Sequence, residues 1–393
     1  MRICIVGGCG HVGLPLGLVL AAADCDVVAL DTDAEAVARV NSGVMPFHEE
    51  GAADTLLAVR AAGRFSATTN ARAIADVDVV IVVIGTPVDD HLNPDPNAVV
   101  AAIEECLPYL NDGQLVMLRS TIYPGVTRSV GRMLEERGVS APVVFCPERI
   151  LEGHALRELR TLPQIVGAVS LDGAERATAV FDHLNVQCMV VTPEEAELAK
   201  LFTNTWRYIK FAAANQFWEM ANDAGLDFAR IREAITFDYP RAADLPGPGF
   251  AAGPCLFKDA MQLSAFAKNT FALGHSAMLV NEGMPLYVVD RLAARFDLEN
   301  MTVGILGMAF KAGSDDSRSS LSYKLKRTLR FRAKRVLTTD PFVTSDPSLS
   351  PLDVVLDQAD LLVIGAPHQE YKALFTDKPV VDVWDLQGNG TLV

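Results

Sequence analysis

The sequence lacks the features that mark several specialised classes of protein. Its seven cysteines are an odd number and include no C-x-x-C pair, which argues against a metal cluster and against a disulfide framework. No apolar run approaches the roughly 20 residues of a membrane span, and the first one, at 3–6, is too short for a signal peptide. Only 34 basic residues stand against 49 acidic ones, so the formal net charge of −15 offers no basic surface for nucleic acid.

These absences lead to expectations about compartment and partners. Unpaired cysteines without an export signal predict a reducing, cytoplasmic location, and we expect neither a membrane nor a nucleic-acid partner. The seven histidines show no ligand constellation, so we expect no metal ion. Six of the cysteines are expected to be small buried hydrophobes, and Cys255 is set apart by its surroundings.

The N-terminal part of the chain alternates short β-rich runs with helical stretches. The 393 residues, half of them hydrophobic, suffice for two or three domains. The alternation predicts a parallel, doubly wound sheet. The predicted strands are 3–6, 27–30, 79–84, 115–118 and 143–145.

The middle of the chain has a helical pattern. From Glu194 to about Ala224 the sequence contains no glycine or proline and repeats apolar residues at helical spacing, which predicts one long helix. Further helices are predicted at 228–235 and 259–289, around a glycine-rich loop at 246–253.

The C-terminal part returns to an α/β pattern. Strands are predicted at 302–307, 335–337, 361–364 and 380–383. The predicted fold class is therefore α/β, with two Rossmann-like doubly wound domains joined by a central helical domain. The predicted domains are 1–192, 193–297 and 298–393.

A glycine motif after the first strand predicts a dinucleotide site. Gly8, Gly10 and Gly13 fit G-x-G-x-x-G and open a helix, whose N-terminus attracts a pyrophosphate. We expect Gly8 to permit the tight turn, Gly10 to let the backbone approach the pyrophosphate, and Gly13 to allow close packing of helix on strand. Asp31 ends the second predicted strand and would repel a 2′-phosphate, which favours NAD over NADP.

The stretch from Gly247 to Asp259 predicts a reactive thiol. Cys255 ends a glycine-rich loop, and Lys258 and Asp259 follow as a helix starts. A nearby cation and a helix N-terminus both favour the thiolate. From these residues alone, a buried cysteine beside a flexible turn stays an equal alternative.

Several ordered motifs over nearly the whole chain, taken together, resemble the nucleotide-sugar 6-dehydrogenase family, which oxidises UDP-glucose, GDP-mannose and UDP-N-acetylhexosamines. Besides the glycine motif and the Cys255 loop, these are Gly85-Thr86-Pro87, Ser120-Thr121 with Pro124-Gly125, Pro147-Glu148-Arg149, Lys200 with Asn204, Leu306-Gly307 with Phe310-Lys311, Asp315 to Ser319, and Asp340-Pro341.

The resemblance implies a catalytic role for six residues. Cys255 matches the family's nucleophile, and Lys200 and Asn204 match a pair poised over the oxyanion, with a spacing of four that places both on one helical face. Asp259 and Thr121 match groups that hold a water molecule. The sixth, Glu148, matches the carboxylate that acts as general acid and base in thioester hydrolysis.

The resemblance also implies two binding sets. The cofactor set comprises Gly8, Gly10, Gly13, Asp31, Thr86, Thr121, Glu152, Lys258 and Arg318. The substrate set comprises Glu148, Arg149, Ile150, Leu151, Lys200, Asn204, Arg241, Gly249, Phe250 and Lys311, of which Arg241 resembles an arginine that reaches the neighbouring subunit's substrate.

The implied function is NAD-dependent, four-electron oxidation of the C6 alcohol of a nucleotide sugar to the uronic acid. It consumes two NAD per turnover and passes through a thiohemiacetal and a thioester on Cys255. The resemblance implies NAD in the N-terminal domain, UDP in the C-terminal domain and a homodimer built on the central helix.

Substrate and reaction class keep alternatives. Motifs such as Pro147-Glu148-Arg149 resemble the N-acetylhexosamine branch, whereas 255–259 resembles the glucose and mannose branches. A UDP-N-acetylhexosamine and UDP-glucose therefore both stay open, and GDP-mannose is less favoured. Two rival classes are a two-electron alcohol or hydroxyacid dehydrogenase, which needs no nucleophile, and a non-catalytic nucleotide-sugar-binding protein.

Overall fold

The computed structural model describes residues 1–86, 97–251, 253 and 255–393. The chain folds into two compact units, Met1–Thr203 and Asn204–Val393. Pro87, Ala252 and Pro254, which belong to the motifs above, lie outside the described residues. The division into three domains at 192 and 298 stays a prediction.

The first unit is built on an eight-stranded sheet in the order β3-β2-β1-β4-β5-β6-β7-β8. The predicted strands are all present, and the sequence pattern missed β3, β7 and β8. The strands are β1 (Arg2–Val6), β2 (Asp26–Leu30), β3 (Phe65–Thr68), β4 (Val79–Val82), β5 (Leu115–Leu118), β6 (Val143–Phe145), β7 (Gln164–Ala168) and β8 (Cys188–Val191).

The sheet departs from the all-parallel prediction at one pair. In the order of the sheet, all neighbouring strands from β3 through β2, β1, β4 and β5 to β6 are parallel. However, β7 runs antiparallel to β6, with Phe145 opposite Gly167, and β8 is parallel to β7. The parallel prediction is therefore wrong for β7. The connection from β6 to β7 carries only the brief helix α6, without a long crossover helix, and the chain returns in the opposite direction.

Helices cover the sheet of the first unit. They are α1 (Gly13–Ala22), α2 (Ala34–Asn41), α3 (Ala52–Ala61), α4 (Asn97–Cys106), α5 (Val126–Glu136), α6 (Ala155–Glu158) and α7 (Leu171–Asp182). Nine of the ten residues of α1 are buried, which follows from its uniformly apolar sequence. Its Gly17 lies so close to β3 that an added Cβ would be 2.8 Å from the Phe65 ring.

The predicted long helix is α8 (Pro193–Asp223), which contains the division between the two units. In the second unit, the further helices are α9 (Phe228–Thr236), α10 (Leu256–Phe266), α11 (Ala272–Arg295), α12 (Leu321–Leu329) and α13 (Leu352–Gln358). The helical prediction over 259–289 is thus two helices, because Lys268 and Asn269 adopt left-handed φ values of 53° and 58° and end α10.

The second unit also contains a four-stranded parallel sheet in the order β10-β9-β11-β12. Its strands are β9 (Thr302–Leu306), β10 (Arg335–Thr339), β11 (Leu361–Ile364) and β12 (Val380–Val381), as predicted to within two residues at each end. In the described part of the chain, no helix is both long and apolar enough to cross a membrane.

We predict that the α1 core stabilises the first unit. Leu16 is 0% exposed, whereas Leu171 at the start of α7 is 74% exposed. Leu16→Ala should lower the free energy of unfolding by ~2–5 kcal/mol because it leaves a cavity, and the matched Leu171→Ala should change it by less than ~0.5 kcal/mol. Denaturant titrations followed by circular dichroism measure both. Equal losses would contradict the assignment of α1 to the core.

Candidate functional site

The glycine motif forms the loop between β1 and α1. The left-handed residue is Gly7 (φ 79°), not Gly8, so the predicted role of Gly8 in the turn is corrected by one position. Gly8 instead gives the close packing, since an added Cβ would lie 2.7 Å from Ala29 on β2, and at Gly13 it would lie 2.4 Å from the Gly7 carbonyl. The Cβ direction of Gly10 is open, with its nearest atom at 3.7 Å.

Asp31 lies at the end of β2 beside this loop. Its carboxylate accepts the N–H of Cys9 at 2.9 Å and the N–H of Asp33 at 3.1 Å. Asp31 therefore braces the glycine loop and presents a negative charge next to it. The position of this negative charge agrees with the predicted role of Asp31, which is to repel a 2′-phosphate.

The described residues around the glycine loop of the first unit fit a dinucleotide. The Gly10 side of the loop is open, no side chain caps the start of α1, and Asp31 stands at the carboxyl end of the neighbouring strand. An uncapped helix start and an open glycine are what an anionic pyrophosphate requires.

A hydrogen bond joins the described parts of the loops after β4 and β5. The N–H of Ile84 donates to Ser120 Oγ at 2.8 Å. This bond holds the buried Thr86 and the half-buried Thr121, both predicted for the cofactor, in adjacent loops. Because β4 and β5 are parallel neighbours, their carboxyl ends meet at one edge.

Glu148 follows β6 and is held on both carboxylate oxygens. Its Oε1 accepts the N–H groups of Arg149 at 2.7 Å and Ile150 at 3.1 Å, and its Oε2 accepts from Arg119. Burial raises the pKa of Glu148, but the Arg119 charge and these hydrogen bonds outweigh it and hold the pKa below its usual range. The carboxylate is therefore the stable form.

The turn that follows contains the predicted residues Arg149 to Glu152. Leu151 N–H donates to Glu158 at 2.7 Å, and the N–H groups of Gly153 and Ala155 donate to the buried Glu49, both at 2.7 Å. One carboxylate close in sequence, Glu158, and one distant in sequence, Glu49, thus fix the backbone of this turn.

Lys200 and Asn204 lie one turn apart on α8, as predicted. Three residues before Lys200, the fully buried Glu197 accepts Gly125 N–H at 2.6 Å and both the N–H and the hydroxyl of Thr127. Glu197 therefore fixes the Lys200 turn of α8 to the start of α5, where the loop that carries Thr121 ends.

Cys255 stands at the N-cap of α10 and is the exposed cysteine. Five of the others are buried, and Cys188 is half-buried. Burial raises the pKa of Cys4, Cys9 and Cys146 to about 12, and it also raises the pKa of the other three. Cys255 is thus distinguished from the six by exposure and by its place at a helix start.

Three predicted residues surround the start of α10. Asn204 Nδ2 donates to Asp259 Oδ2 at 2.5 Å, and Lys258 Nζ lies 3.9 Å from Asp259 Oδ1. Asp259 has no exposed surface, and its N–H donates to the Cys255 carbonyl at 2.9 Å. The fold therefore brings together Asn204, Cys255, Lys258 and Asp259, which span 55 residues of sequence.

The glycine-rich loop is anchored at Gly249. Its N–H donates to Oδ1 of Asn215 on α8 at 2.9 Å. The Asn215 amide in turn donates to Asn281 on α11, also at 2.9 Å. Gly249 has a φ of 152°, and an added Cβ would lie 2.2 Å from the Trp384 ring, which also meets Phe250 edge-on. Only glycine fits between Asn215 and Trp384 at this position.

The loop after β9 carries the predicted Lys311. The Phe310 ring lies against Gly253, where an added Cβ would be 2.6 Å away. The buried pair Asp340 and His368 holds this loop, because Asp340 accepts the N–H groups of Met308 and Ala309 and its pKa is lowered to about 2. Burial raises that pKa, and the hydrogen bond and charge of His368 reverse the effect.

The two remaining predicted arginines lie on exposed segments. Arg318 pairs with Asp316 through Nε and Nη2, at 2.9 and 2.6 Å. Arg241 donates to the Tyr239 hydroxyl at 2.8 Å, and its guanidinium lies 4.6 Å from that ring.

Sequence reasoning missed the residues that hold the others in place: Glu49, Arg119, Glu197, Asn215, Asn281, His368 and Trp384. No local pattern distinguishes them, because their partners lie far away in the sequence. The buried Arg119 had the clearest available signal, since it sits directly between an apolar strand and Ser120-Thr121.

Comparisons with known proteins match these segments in order. Residues 1–185 match a model described as the UDP-glucose/GDP-mannose dehydrogenase family, NAD binding domain. Residues 194–283 match the central domain of the same family, and residues 304–387 match its UDP binding domain.

Similar proteins share this arrangement over nearly their whole length. The UDP-N-acetyl-D-mannosamine dehydrogenase of Pyrococcus horikoshii is 31% identical over 95% of this chain and 91% of that protein. The NDP-N-acetyl-D-galactosaminuronic acid dehydrogenase of Ralstonia nicotianae is 30% identical over 96% and 93%. A solved UDP-glucose dehydrogenase from Pyrobaculum islandicum superposes with a TM-score of 0.90 at 28% identity, over 97% and 93%.

We predict that Asp31 enforces a preference for NAD. We expect the 2′-phosphate of NADP to lie near the Asp31 carboxylate, and like charges at short range repel. The wild type should therefore use NAD with at least ~10-fold higher kcat/KM than NADP, and Asp31→Asn should narrow the ratio by about tenfold. Initial rates of reduced cofactor formation give both values. Asp33→Asn, two residues away and exposed, is the control. Equal use of both cofactors by the wild type would show the assignment to be wrong.

Proposed function

This chain belongs to the UDP-glucose/GDP-mannose dehydrogenase family, and on that premise we propose that it oxidises the C6 alcohol of a UDP-sugar to the uronic acid through covalent catalysis by Cys255. The family assignment confirms the predicted class of enzyme, an NAD-dependent dehydrogenase of nucleotide sugars. The number of electrons removed, the nucleophile and the sugar are our proposal.

One observation carries the proposal: the exposed thiol stands at the start of α10 beside a buried amide and carboxylate. Cys255, Asn204 and Asp259 meet there, with Lys258 adjacent. A two-electron alcohol dehydrogenase needs no thiol at its centre, so this grouping favours a reaction with a covalent step.

The proposed reaction removes two hydrides from one carbon. The alcohol loses a hydride and its hydroxyl proton to give an aldehyde, and the Cys255 thiolate adds to the aldehyde carbon. This thiohemiacetal still carries a hydride, whose removal leaves a thioester. Water then replaces the sulfur and gives the acid. When bound, NAD supplies the acceptor for each hydride, so two NAD are consumed per acid.

The surrounding residues take the roles that the family resemblance implies. Lys200 and Asn204 donate to the oxyanion that forms on each addition, and loss of one such donor typically costs ~10²–10³ in rate. Asp259 and Thr121 hold the water. Glu148 takes its proton, which its stable carboxylate form supports.

The parts of the chain divide the binding work. We assign NAD to 1–192, with contacts from Thr86, Glu152, Lys258 and Arg318, and the UDP moiety to 298–393, with Lys311 on its phosphates. The remaining substrate contacts are proposed for Arg149, Ile150, Leu151, Gly249 and Phe250. The names of the similar proteins favour a UDP-N-acetylhexosamine as the sugar, with UDP-glucose as the second choice.

A homodimer through α8 forms part of the proposal. An apolar stripe on this helix is exposed, with Trp206 at 57%, Phe217 at 46% and Met220 at 62%. Burying such a stripe against its symmetry copy requires one self-complementary surface. Arg241 would then contact the partner's substrate. Because no disulfide joins any of the seven cysteines, we also propose a reducing, cytoplasmic location.

We predict two NADH for each acid released. A panel of UDP-N-acetyl-D-mannosamine, UDP-N-acetyl-D-galactosamine, UDP-N-acetyl-D-glucosamine, UDP-glucose and GDP-mannose with NAD identifies the substrate by its rate. Absorbance at 340 nm counts NADH, and mass spectrometry counts the acid. One NADH per molecule, with an aldehyde or ketone as product, would support the two-electron alternative instead.

The Cys255→Ser variant tests the covalent step, and Cys188→Ser is its matched control. A hydroxyl is a poorer nucleophile and an ester is released more slowly, so acid formation should fall by at least ~10²-fold. Cys188→Ser, at a half-buried thiol far from this chemistry in the sequence, should keep the wild-type stoichiometry. Acid formation by Cys255→Ser at the wild-type rate would exclude the thioester.

We predict that activity depends on association through α8. Phe217→Glu places a charge in the proposed interface and should shift the protein towards monomer with a parallel loss of activity. Phe375→Glu, at a residue that is 96% exposed and outside α8, should stay dimeric and active. Analytical sedimentation at the assay concentration measures the oligomeric state of both variants. A fully active wild-type monomer would contradict both the dimer and the role of Arg241.

A further inference from the structure

Arg119 is a charged side chain without exposed surface. It follows β5 directly and its side chain is 0% exposed. Its guanidinium donates to Glu148 Oε2, and both of its terminal nitrogens lie 3.4 Å from Gln164 Oε1. The guanidinium carbon lies 5.3 Å from the centroid of the Phe181 ring on α7. A buried cation of this kind is stable only when a carboxylate neutralises it, and that carboxylate is Glu148.

We propose that Arg119 is a positioning residue that holds Glu148 as a carboxylate in one orientation, ready to take a proton from the water that releases the acid. The inference rests on the proposed function. In that step the water oxygen bonds to the thioester carbon and one water proton passes to Glu148. The carbon–sulfur bond breaks with its electron pair going to the sulfur of Cys255, and the new carboxylic acid loses the second proton to solvent.

The hydrogen bonds leave Glu148 one direction in which to accept that proton. A carboxylate offers about four acceptor positions. Two on Oε1 are taken by the N–H groups of Arg149 and Ile150, and one on Oε2 is taken by Arg119. The remaining position on Oε2 is adjacent to the guanidinium. Arg119 therefore sets which lone pair of Glu148 is available and prevents rotation of the carboxylate.

The charges around Glu148 favour the anion. Arg119 faces it from β5, and Arg149 lies on its own turn, with Nη2 bonded to the Pro163 carbonyl. From β7 the neighbour is the neutral Gln164, and from α7 it is Phe181. The nearby thiols Cys146 and Cys188 have raised pKa values and are neutral, and Asp182 at the end of α7 acts on Cys188.

The sign of the pH dependence follows from these contacts. Burial raises the pKa of Glu148, and the charge and hydrogen bond of Arg119 are the main opposing causes. The carboxylate, which is the form that can take a proton, is present above that pKa and lost below it. Without Arg119, both its charge and its hydrogen bond cease to lower the pKa of Glu148, so the loss of the carboxylate moves to higher pH.

The experiment follows decay of the acyl-enzyme at different pH values. The protein is mixed with NAD and the nucleotide sugar that reacts fastest in the panel, quenched at intervals, and its intact mass is measured. In the wild type, the rate of loss of the acyl mass should stay level down to about pH 6. In Arg119→Gln, the rate should begin to fall at a higher pH than in the wild type. At pH 6 the rate of the variant should be about tenfold or more below that of the wild type. Arg119→Lys, which keeps the charge, should recover part of the difference.

Gln164→Met and the wild type provide two further comparisons. Gln164→Met removes the neutral acceptor of Arg119 but no charge, so its pH profile should match the wild type. An equal shift in Gln164→Met, or no shift in Arg119→Gln, would overturn the inference. If Arg119→Gln fails to fold, the wild type decides: acyl-enzyme loss that already slows above about pH 6 would also overturn it. Acid formation by Cys255→Ser at the wild-type rate would instead overturn the covalent reaction.

Discussion

Carboxylates that accept backbone N–H groups hold the loops on which the proposed chemistry depends. Asp31, Glu49, Glu148, Glu197 and Asp340 each accept at least two such groups. One ionised carboxylate can satisfy several donors, because it has two oxygens and no proton of its own. The acidic excess of the sequence is therefore in part internal scaffolding. It provides fixed acceptors where loops leave the sheets and their N–H groups lack strand partners.

The arrangement of the sheets explains where these acceptors lie. In the first unit, the neighbouring strands from β2 to β6 are parallel, so the loops that follow them leave from one edge. Loops that are distant in sequence meet there, as the bond from Ile84 to Ser120 illustrates. In the second unit, the same principle brings Asp340 after β10 and His368 after β11 to the loop after β9. Catalytic groups on such loops gain a rigid base without being part of a strand.

The protein separates one thiol from six others by burial. Six cysteines lie among apolar side chains or at strand positions, where burial raises the pKa and keeps the thiol neutral. Cys255 is exposed at a helix start, with a cation three residues on. The six cysteines with raised pKa values all belong to the first unit, and Cys255 is the one cysteine of the second. Arg119 and Glu148 show the reverse case, in which burial together with a fixed partner favours the charged form.

Features that arise from short stretches of chain follow from local sequence patterns. The glycine loop after β1, the helix from Pro193 to Asp223 and most strand positions depend on local periodicity and were predicted correctly. Only the tertiary structure decided that Gly7 takes the left-handed turn, that β7 reverses direction, and that 259–289 is two helices. It also decided the partners of Glu49, Arg119 and Asn204, which lie 104, 29 and 55 residues away. Such pairs depend on how strands and helices pack in three dimensions, and local sequence patterns carry no information about that packing.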